Sequence, residues 1–330
     1  MSTKIEDARI EDEYRALREG CAVIDRSGAG RLELLGKDRQ RFINAYLTCD
    51  VKGLAPGGGA YGFVTSSQGR ILSDVVVLAH EDRLWLELGP DQEEPIAEHL
   101  KKFILADRVE IRPLGDMLPL SLIGPRSAEI LGAAVADLPE GLLEKDWSHA
   151  RRMVQGTEVT LQRGGPSVPW AYTLWVSASI APQLIESLAQ AGVVEAGFEA
   201  LEILRAEKGL PRFGRDYGAE NFPQETGLEE AVSYTKGCYL GQEVVARIHY
   251  RGGVQKSLRG LVFEGEPPAP GAALLVDGRE SGTATTIVQS PALGRAAGLA
   301  ILHRRAAAPG TRLEVAGGGT AEVRELPLAP

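Results

Sequence analysis

The hydrophobic period of this chain changes near residue 255, and that change limits the folds open to it. Beyond it, six short apolar runs, 258–263, 273–276, 281–289, 296–302, 312–315 and 321–326, are divided by Asp277-Gly278, Ser290-Pro291, Pro309-Gly310 and Gly317-Gly318-Gly319. Close-spaced strands with turn residues between them avoid open edges by closing, so a six-stranded β-barrel is expected. The Pro-rich stretch 266–271 has strand signals on both sides and reads as a turn inside that barrel.

Before the change, helical and strand periods alternate. A helix is expected over 8–19, a strand over 30–35, and a helix over 37–48 carrying Phe42, Ile43, Tyr46 and Leu47. Strands follow at 61–65, 71–79 and 84–88, then a helix over 93–105 and a strand over 109–112, giving the order β-α-β-β-β-α-β. A similar order starts again with a strand at 118–123, a helix at 125–135, strands near Met153, Val159 and Trp175, and a helix at 180–191. Two readings stand at this point: a diverged internal repeat, or two unrelated α+β stretches. A further helix over 198–208 stops at Gly209-Leu210-Pro211. The fold class is α+β.

With 330 residues and 44% apolar content the chain can bury a core without disulfides or a metal. A net charge of −9 argues against a protein built to grip nucleic acid, and no direct nucleic-acid partner is expected. The polar, acidic start MSTKIEDARIEDEY has no apolar leader, and no apolar run reaches membrane-span length, so a cytoplasmic protein with no membrane partner is expected. Cys21, Cys49 and Cys238 lie too far apart for a disulfide framework or a self-contained metal cage, and no metal ligand set is assigned. Gly28-Ala29-Gly30 lacks the third glycine of a dinucleotide fingerprint, since position 33 is Glu, and no phosphate-loop, zinc-protease or serine-hydrolase motif occurs.

Three segments can carry chemistry. The densest is Lys236-Gly237-Cys238-Tyr239-Leu240-Gly241-Gln242-Glu243, continuing to Arg247, His249, Tyr250 and Arg251. Residues 236–259 hold five Lys or Arg against one Glu, a patch suited to an anionic small molecule or acidic partner. Lys236 can favour the thiolate of Cys238, making it a nucleophile or soft ligand; the plainer alternative is a small packing cysteine before a helix. In the second segment, Leu204 to Pro211, Glu207 can accept two parallel hydrogen bonds from an aminopyrimidinone edge, or can be a solvated helix-end charge. In the third, Gln68-Gly69-Arg70-Ile71-Leu72-Ser73-Asp74, Asp74 stands at an expected strand start, where it can reach a cleft or serve as a turn acid.

These segments occur in the order and spacing of the glycine-cleavage T-protein superfamily, and KGCYLGQEVVARIHYRG closely resembles the signature of its YgfZ branch. The resemblance runs from Asp25-Arg26-Ser27 through SSQGRILSD and LRAEKGLPRFGRD to Glu325-Leu326-Pro327. It implies a T-protein-like three-lobed α+β fold: a folate-binding lobe over 1–115, a second βαββαβ-type lobe over 116–245, and a C-terminal six-stranded barrel over 246–330. It implies a tetrahydrofolate or other reduced folate cofactor near a central opening, held through Glu207, with Lys236, Gln242, Arg247, Arg251 and Tyr61 as further binding residues. Cys238 and Asp74 are its catalytic candidates.

For the branch it implies tetrahydrofolate-dependent assembly or repair of iron–sulfur clusters, including those of tRNA-modifying enzymes, with cluster client or assembly proteins as partners. The alternatives are a tetrahydrofolate-dependent aminomethyltransferase and a folate-binding scaffold without chemistry. Where enzymatic T-proteins carry paired aspartates, Ser73-Asp74 keeps the second, and Cys49 replaces the asparagine of the Thr-Asn-Asp triplet. Both departures point away from aminomethyl transfer.

Overall fold

The computed structural model describes residues 2–135, 141, 144–154, 156–166 and 168–330. It divides into two compact units, Met1–Val64 with Ser73–Leu201, and Thr65–Leu72 with Glu202–Pro330. These cuts differ from the expected boundaries near 115 and 245.

In the first unit, α1 (Ser2–Glu19) leads through Gly20 into β1 (Ala22–Asp25). Then come β2 (Ala29–Leu35), α2 (Arg39–Asn44), β3 (Gly59–Thr65), β4 (Ile71–Ala79), β5 (Arg83–Pro90), α3 (Glu93–Lys101) and β6 (Glu110–Pro113). A second series follows: β7 (Met117–Ile123), α4 (Ser127–Ala134), β8 (His149–Val154), β9 (Thr157–Arg163), β10 (Tyr172–Ser177), α5 (Ala181–Gln190) and β11 (Val194–Glu195). The sheets run β3-β4-β5-β2-β6 and β8-β9-β10-β7-β1-β11. With β1 removed, the second order is that of the first, element for element. The repeat suggested by the element order is therefore present in the topology, with β1 wedged between β7 and β11. That strand was not expected. Four residues carry too little period to register, and its place is decided by partners from far along the chain.

β4 is buried along nearly its whole length because both its faces are covered. Val76 and Leu78 pack with Trp85 and Trp175, joining the two sheets of this unit. Around the second sheet, Leu120, Leu122, Leu161, Leu174 and Val176 pack with Leu184 and Leu188 of α5, which recur at helical spacing. Arg26, just after β1, pairs with buried Glu87 and donates to Ser121 Oγ at 2.6 Å and Thr173 Oγ1 at 2.9 Å. Burial pushes the Glu87 carboxyl up against the opposing pull of Arg26.

Two helices are shorter than their apolar periods predict. After Asn44, Ala45 and Tyr46 turn back on Phe42 and Ile43, and Leu47 bridges to Val64, so strand pairing takes over the last turn of α2. After Lys101, Phe103 and Ile104 bond three residues back and Leu105 is 92% exposed, so α3 stops early.

The second unit contains most of α6 (Phe198–Lys208), then α7 (Gln242–Arg247) with a π-turn at Ile248–Gly252, and a closed barrel. The barrel strands are β12 (Lys256–Glu264), β13 (Ala273–Val276), β14 (Arg279–Ser290), β15 (Arg295–His303), β16 (Arg312–Val315) and β17 (Thr320–Arg324), ordered β12-β15-β14-β13-β16-β17. Alternate residues fill it, among them Leu261 and Phe263, Ala300 and Leu302, Leu313 and Val315, and Ala321 and Val323. Asp277 and Gly278 both have positive φ, 51° and 68°, as a two-residue hairpin between β13 and β14 requires. The fold is that of the expected α+β class with a six-stranded barrel. No described helix is long and apolar enough to cross a membrane.

Candidate functional site

Glu207 stands one residue before the last of α6. Gly209, at φ 71°, ends the helix: its N–H bonds to Ala206 O, and that of Leu210 to Arg205 O at 2.8 Å. A side chain at 209 would come within 2.7 Å of Leu326 Cβ, so glycine is required by both conformation and space. Glu207 is fully buried. Its Oε1 accepts from Ser290 Oγ at 2.5 Å and from the Ala292 N–H at 3.4 Å, while its carbonyl accepts from the N–H groups of Leu328 and Ala329. The solvated-charge alternative does not hold. A carboxylate has about four acceptor positions, and the contacts of Oε1 with Ser290 and Ala292 fix the orientation of the group against the barrel.

Arg205 and Asp216, both within LRAEKGLPRFGRD, had no role assigned from the sequence. Both are buried: Arg205 Nη1 donates to Asp216 Oδ2 at 2.5 Å, Nη2 to Thr286 Oγ1 at 2.5 Å, and Nε to Glu202 Oε1 at 2.7 Å. Asp216 also accepts from Thr285 and Thr286 hydroxyls and from the Arg212 N–H. Burial alone would lower the Arg205 pKa, but Glu202 and Asp216 outweigh it and raise it. This network fixes the end of α6 to β14, the strand whose last residue, Ser290, holds Glu207. A signal was available in the charge alternation of LRAEKGLPRFGRD, but burial cannot be read from it.

Within the same unit, the tip of the β3–β4 hairpin supports the signature segment. Thr65 Oγ1 donates to Leu240 O at 2.6 Å, and the Ile71 N–H to Asn221 O. The Arg70 guanidinium lies 3.7 Å from the Phe222 ring centroid. Gly69 and Gly241 meet backbone to backbone, and a Cβ on Gly241 would collide with the Ser66 carbonyl. Gly241 is thus a close-approach residue at φ 85°, preceding Gln242 at the start of α7.

Cys238 is exposed in the irregular segment before α7, whereas Cys21 and Cys49 are buried. The packing alternative for Cys238 is thereby excluded. Burial pushes the Cys21 thiol up, partly offset by its contact with Ser127. Lys236 is itself buried, its ammonium 5.4 Å from the Tyr239 ring centroid. Gln242 is half-buried, and Arg247 and Arg251 are exposed. Arg247 pairs with Glu243 at 2.8 Å, which reduces the positive potential expected of it. Tyr234, His249 and Tyr250 form an aromatic cluster with Tyr234 and His249 stacked at 3.8 Å.

Asp74 and Tyr61 belong to the first unit. The strand expected over 71–79 is observed as β4, and the placing of Asp74 at its start is corrected: Asp74 is the fourth residue of that strand and is buried. Tyr61 Oη donates to Asp74 Oδ2 at 3.3 Å, and its ring stacks on Trp147 at 5.3 Å. Sequence reading did not single out Trp147. It is distant in sequence and reaches Tyr61 only through the packing of the two repeats.

Comparison with known proteins follows this architecture. The GCVT N-terminal domain matches residues 3–236, and the glycine cleavage T-protein C-terminal barrel domain matches residues 256–328. A chloroplast protein of Arabidopsis thaliana, named only as a transferase, is 28% identical over 314 residues, 94% of this chain and 72% of the relative. The aminomethyltransferase of Rubrobacter xylanophilus is 28% identical over 327 residues, covering 98% and 85% of the two chains. The crystal structure of glycine cleavage system aminomethyltransferase T from Bartonella henselae superposes with a TM-score of 0.85 at 22% identity, over 97% of this chain and 89% of that one, and shows the shared fold. Matched in order through the repeated sheets and the barrel, the chain belongs to the glycine cleavage T-protein family.

Proposed function

We propose that this protein binds a reduced folate and, in the manner of the YgfZ branch, assists assembly or repair of iron–sulfur clusters in client proteins, including tRNA-modifying enzymes. A folate cofactor is supported at the level of the family. The buried Glu207 carboxylate, oriented by Ser290 and Ala292, suits the ring N–H and exocyclic amine of a pterin edge. When bound, a reduced folate supplies an electron-rich ring and, if loaded, a one-carbon unit. Glu207 anchors and orients that ring, and the Arg205–Asp216 network keeps the carboxylate in place.

The observation that carries the cluster reading is the exposure of Cys238, alone among the three cysteines, on a segment braced by the Gly69–Gly241 contact. One thiolate cannot hold a cluster that normally takes four cysteines, so the cluster is cargo shared with a client. Loss of cluster-enzyme activity in a deletion strain should be rescued by the wild type and not by Cys238→Ala. Full rescue by Cys238→Ala would remove the thiol from the function.

The second reading is aminomethyl transfer to tetrahydrofolate, favoured by the retained Asp74 and its contact with Tyr61. Turnover of an aminomethylated carrier protein, lost in Asp74→Asn, would establish it in place of the first.

A further inference from the structure

On the barrel's outer face, strand register sets two guanidinium groups on either side of β12. Leu261 and Phe263 point into the core, so Val262 points outward. Val262 is opposite Ala297 on β15, two residues from Arg295. On the other side, Arg324 of β17 is opposite Gly260, again two residues from Val262. The C-terminal tail runs over this face because Gly260 leaves room for it: a Cβ there would lie 2.9 Å from Leu328 Cγ. Between tail and barrel is a cavity of about 530 Å³ with Val262, Leu293 and Leu328 in its wall and Arg295, Arg324 and Glu325 among its charged lining. That volume is in the range of small-molecule sites, about 300–1,000 Å³.

The charges are arranged unequally. Arg324 pairs with Glu322 at 3.1 Å. The side chains of Arg295 and Glu325 have no hydrogen-bond or ion-pair partner among the described residues, so the cavity offers one uncommitted cation, one uncommitted anion and an apolar wall. A simple anion would meet Glu325, and a simple amine would meet two guanidinium groups. A ligand carrying both charges satisfies both.

We propose that this cavity binds a zwitterionic amino acid or dipeptide with an apolar side chain, its carboxylate on Arg295, its ammonium on Glu325, and its side chain against Val262, Leu293 and Leu328. Guanidinium and carboxylate match as a two-pronged pair, which an ammonium in place of Arg295 would not reproduce. The cavity adjoins the mount of Glu207 through Leu328 and Leu293, whose N–H groups bond to Glu207 O and Ser290 Oγ. The inference does not depend on folate binding.

Isothermal titration of the full chain with L-leucine and with leucyl-leucine tests it, and the preferred probe reports the spacing of the two charges. Saturable binding of either is expected, weakened at least about tenfold by Arg295→Ala and by Glu325→Gln, and several-fold by Arg295→Lys. 4-Methylpentanoate and 3-methylbutylamine, each lacking one charge, should bind at least about tenfold more weakly than leucine. Because both side chains are exposed, the variants should melt with the wild type. No saturable binding of either probe, equal binding of the singly charged analogues, or affinity unchanged in Arg295→Ala and Glu325→Gln would overturn the proposal. A reduced folate titrated separately should bind wild type and Arg295→Ala alike; parallel loss of folate and leucine would merge the cavity with the folate site and also overturn it.

Discussion

Replacing Asp216 by asparagine keeps its shape and removes its charge. Asp216 accepts four hydrogen bonds: Thr285 and Thr286 hydroxyls at Oδ1, 2.6 and 2.7 Å, and Arg205 Nη1 and the Arg212 N–H at Oδ2, 2.5 and 3.0 Å. Asparagine can retain the threonine pair with its amide oxygen, but its NH₂ then faces two donors. One charge-assisted bond is lost, worth about 1.5–3 kcal/mol, and a buried N–H is left unsatisfied at about 1–3 kcal/mol. Glu202 still neutralises Arg205, which keeps the total near the 3–5 kcal/mol typical of a broken buried pair.

At about 2–4 °C per kcal/mol, the melting transition containing the barrel should fall by roughly 6–20 °C. Calorimetry of the full chain reads this, with urea unfolding as an independent measure. Thr285→Val, which deletes one hydroxyl and keeps the ion pair, should cost about 1 kcal/mol. If Asp216→Asn unfolds within about 1 kcal/mol of the wild type, the network is not what holds the end of α6.

Mild alkylation followed by mass spectrometry should label Cys238 first, since Cys21 and Cys49 are buried and burial raises the Cys21 thiol further; early labelling of either buried cysteine in the folded chain would contradict this. Glu207→Ala should weaken reduced-folate binding by about 1.5–3 kcal/mol, the range for a hydrogen bond to a charged group, and equal calorimetric affinities would take Glu207 out of the site. The His80 and His149 rings lie 4.6 Å apart, and burial holds their pKa values down to about 4 and about 3. The unfolded chain therefore takes up protons first as pH falls below 6.5, and stability should drop progressively from there toward pH 4. Urea unfolding at a series of pH values should show this slope, reduced in His149→Phe; a flat profile across that window would refute the assignment.

What was legible in the sequence was local. The two-residue period and turn pairs fixed the barrel strands, since Asp277-Gly278 and the glycine-rich turns impose their geometry without distant partners. The Gly209-Leu210-Pro211 stop set the end of α6, and with it the position of Glu207 on the helix, to the residue. The repeat showed in element order alone because the pattern of each copy is internal to that copy.

Tertiary structure decided whatever depends on which remote groups arrive at a side chain. The sequence left Asp74 open between a cleft acid and a turn acid and Glu207 between a recognition acceptor and a solvated charge; burial inside β4 and the closing of Ser290, 83 residues away, on Glu207 removed the turn and solvated readings. Gly241 stands in sequence as one more glycine of the signature segment, yet it has to be small because the Ser66 carbonyl and Gly69 close against it. β1 has four residues of weak period, but pairing with β7 and β11 makes it an interior strand. Period and capping act over a few residues and are written in sequence order. Burial and hydrogen-bond pairing act across space, where one carboxylate becomes a solvated charge, a structural anchor or a recognition group according to the neighbours that the whole fold delivers.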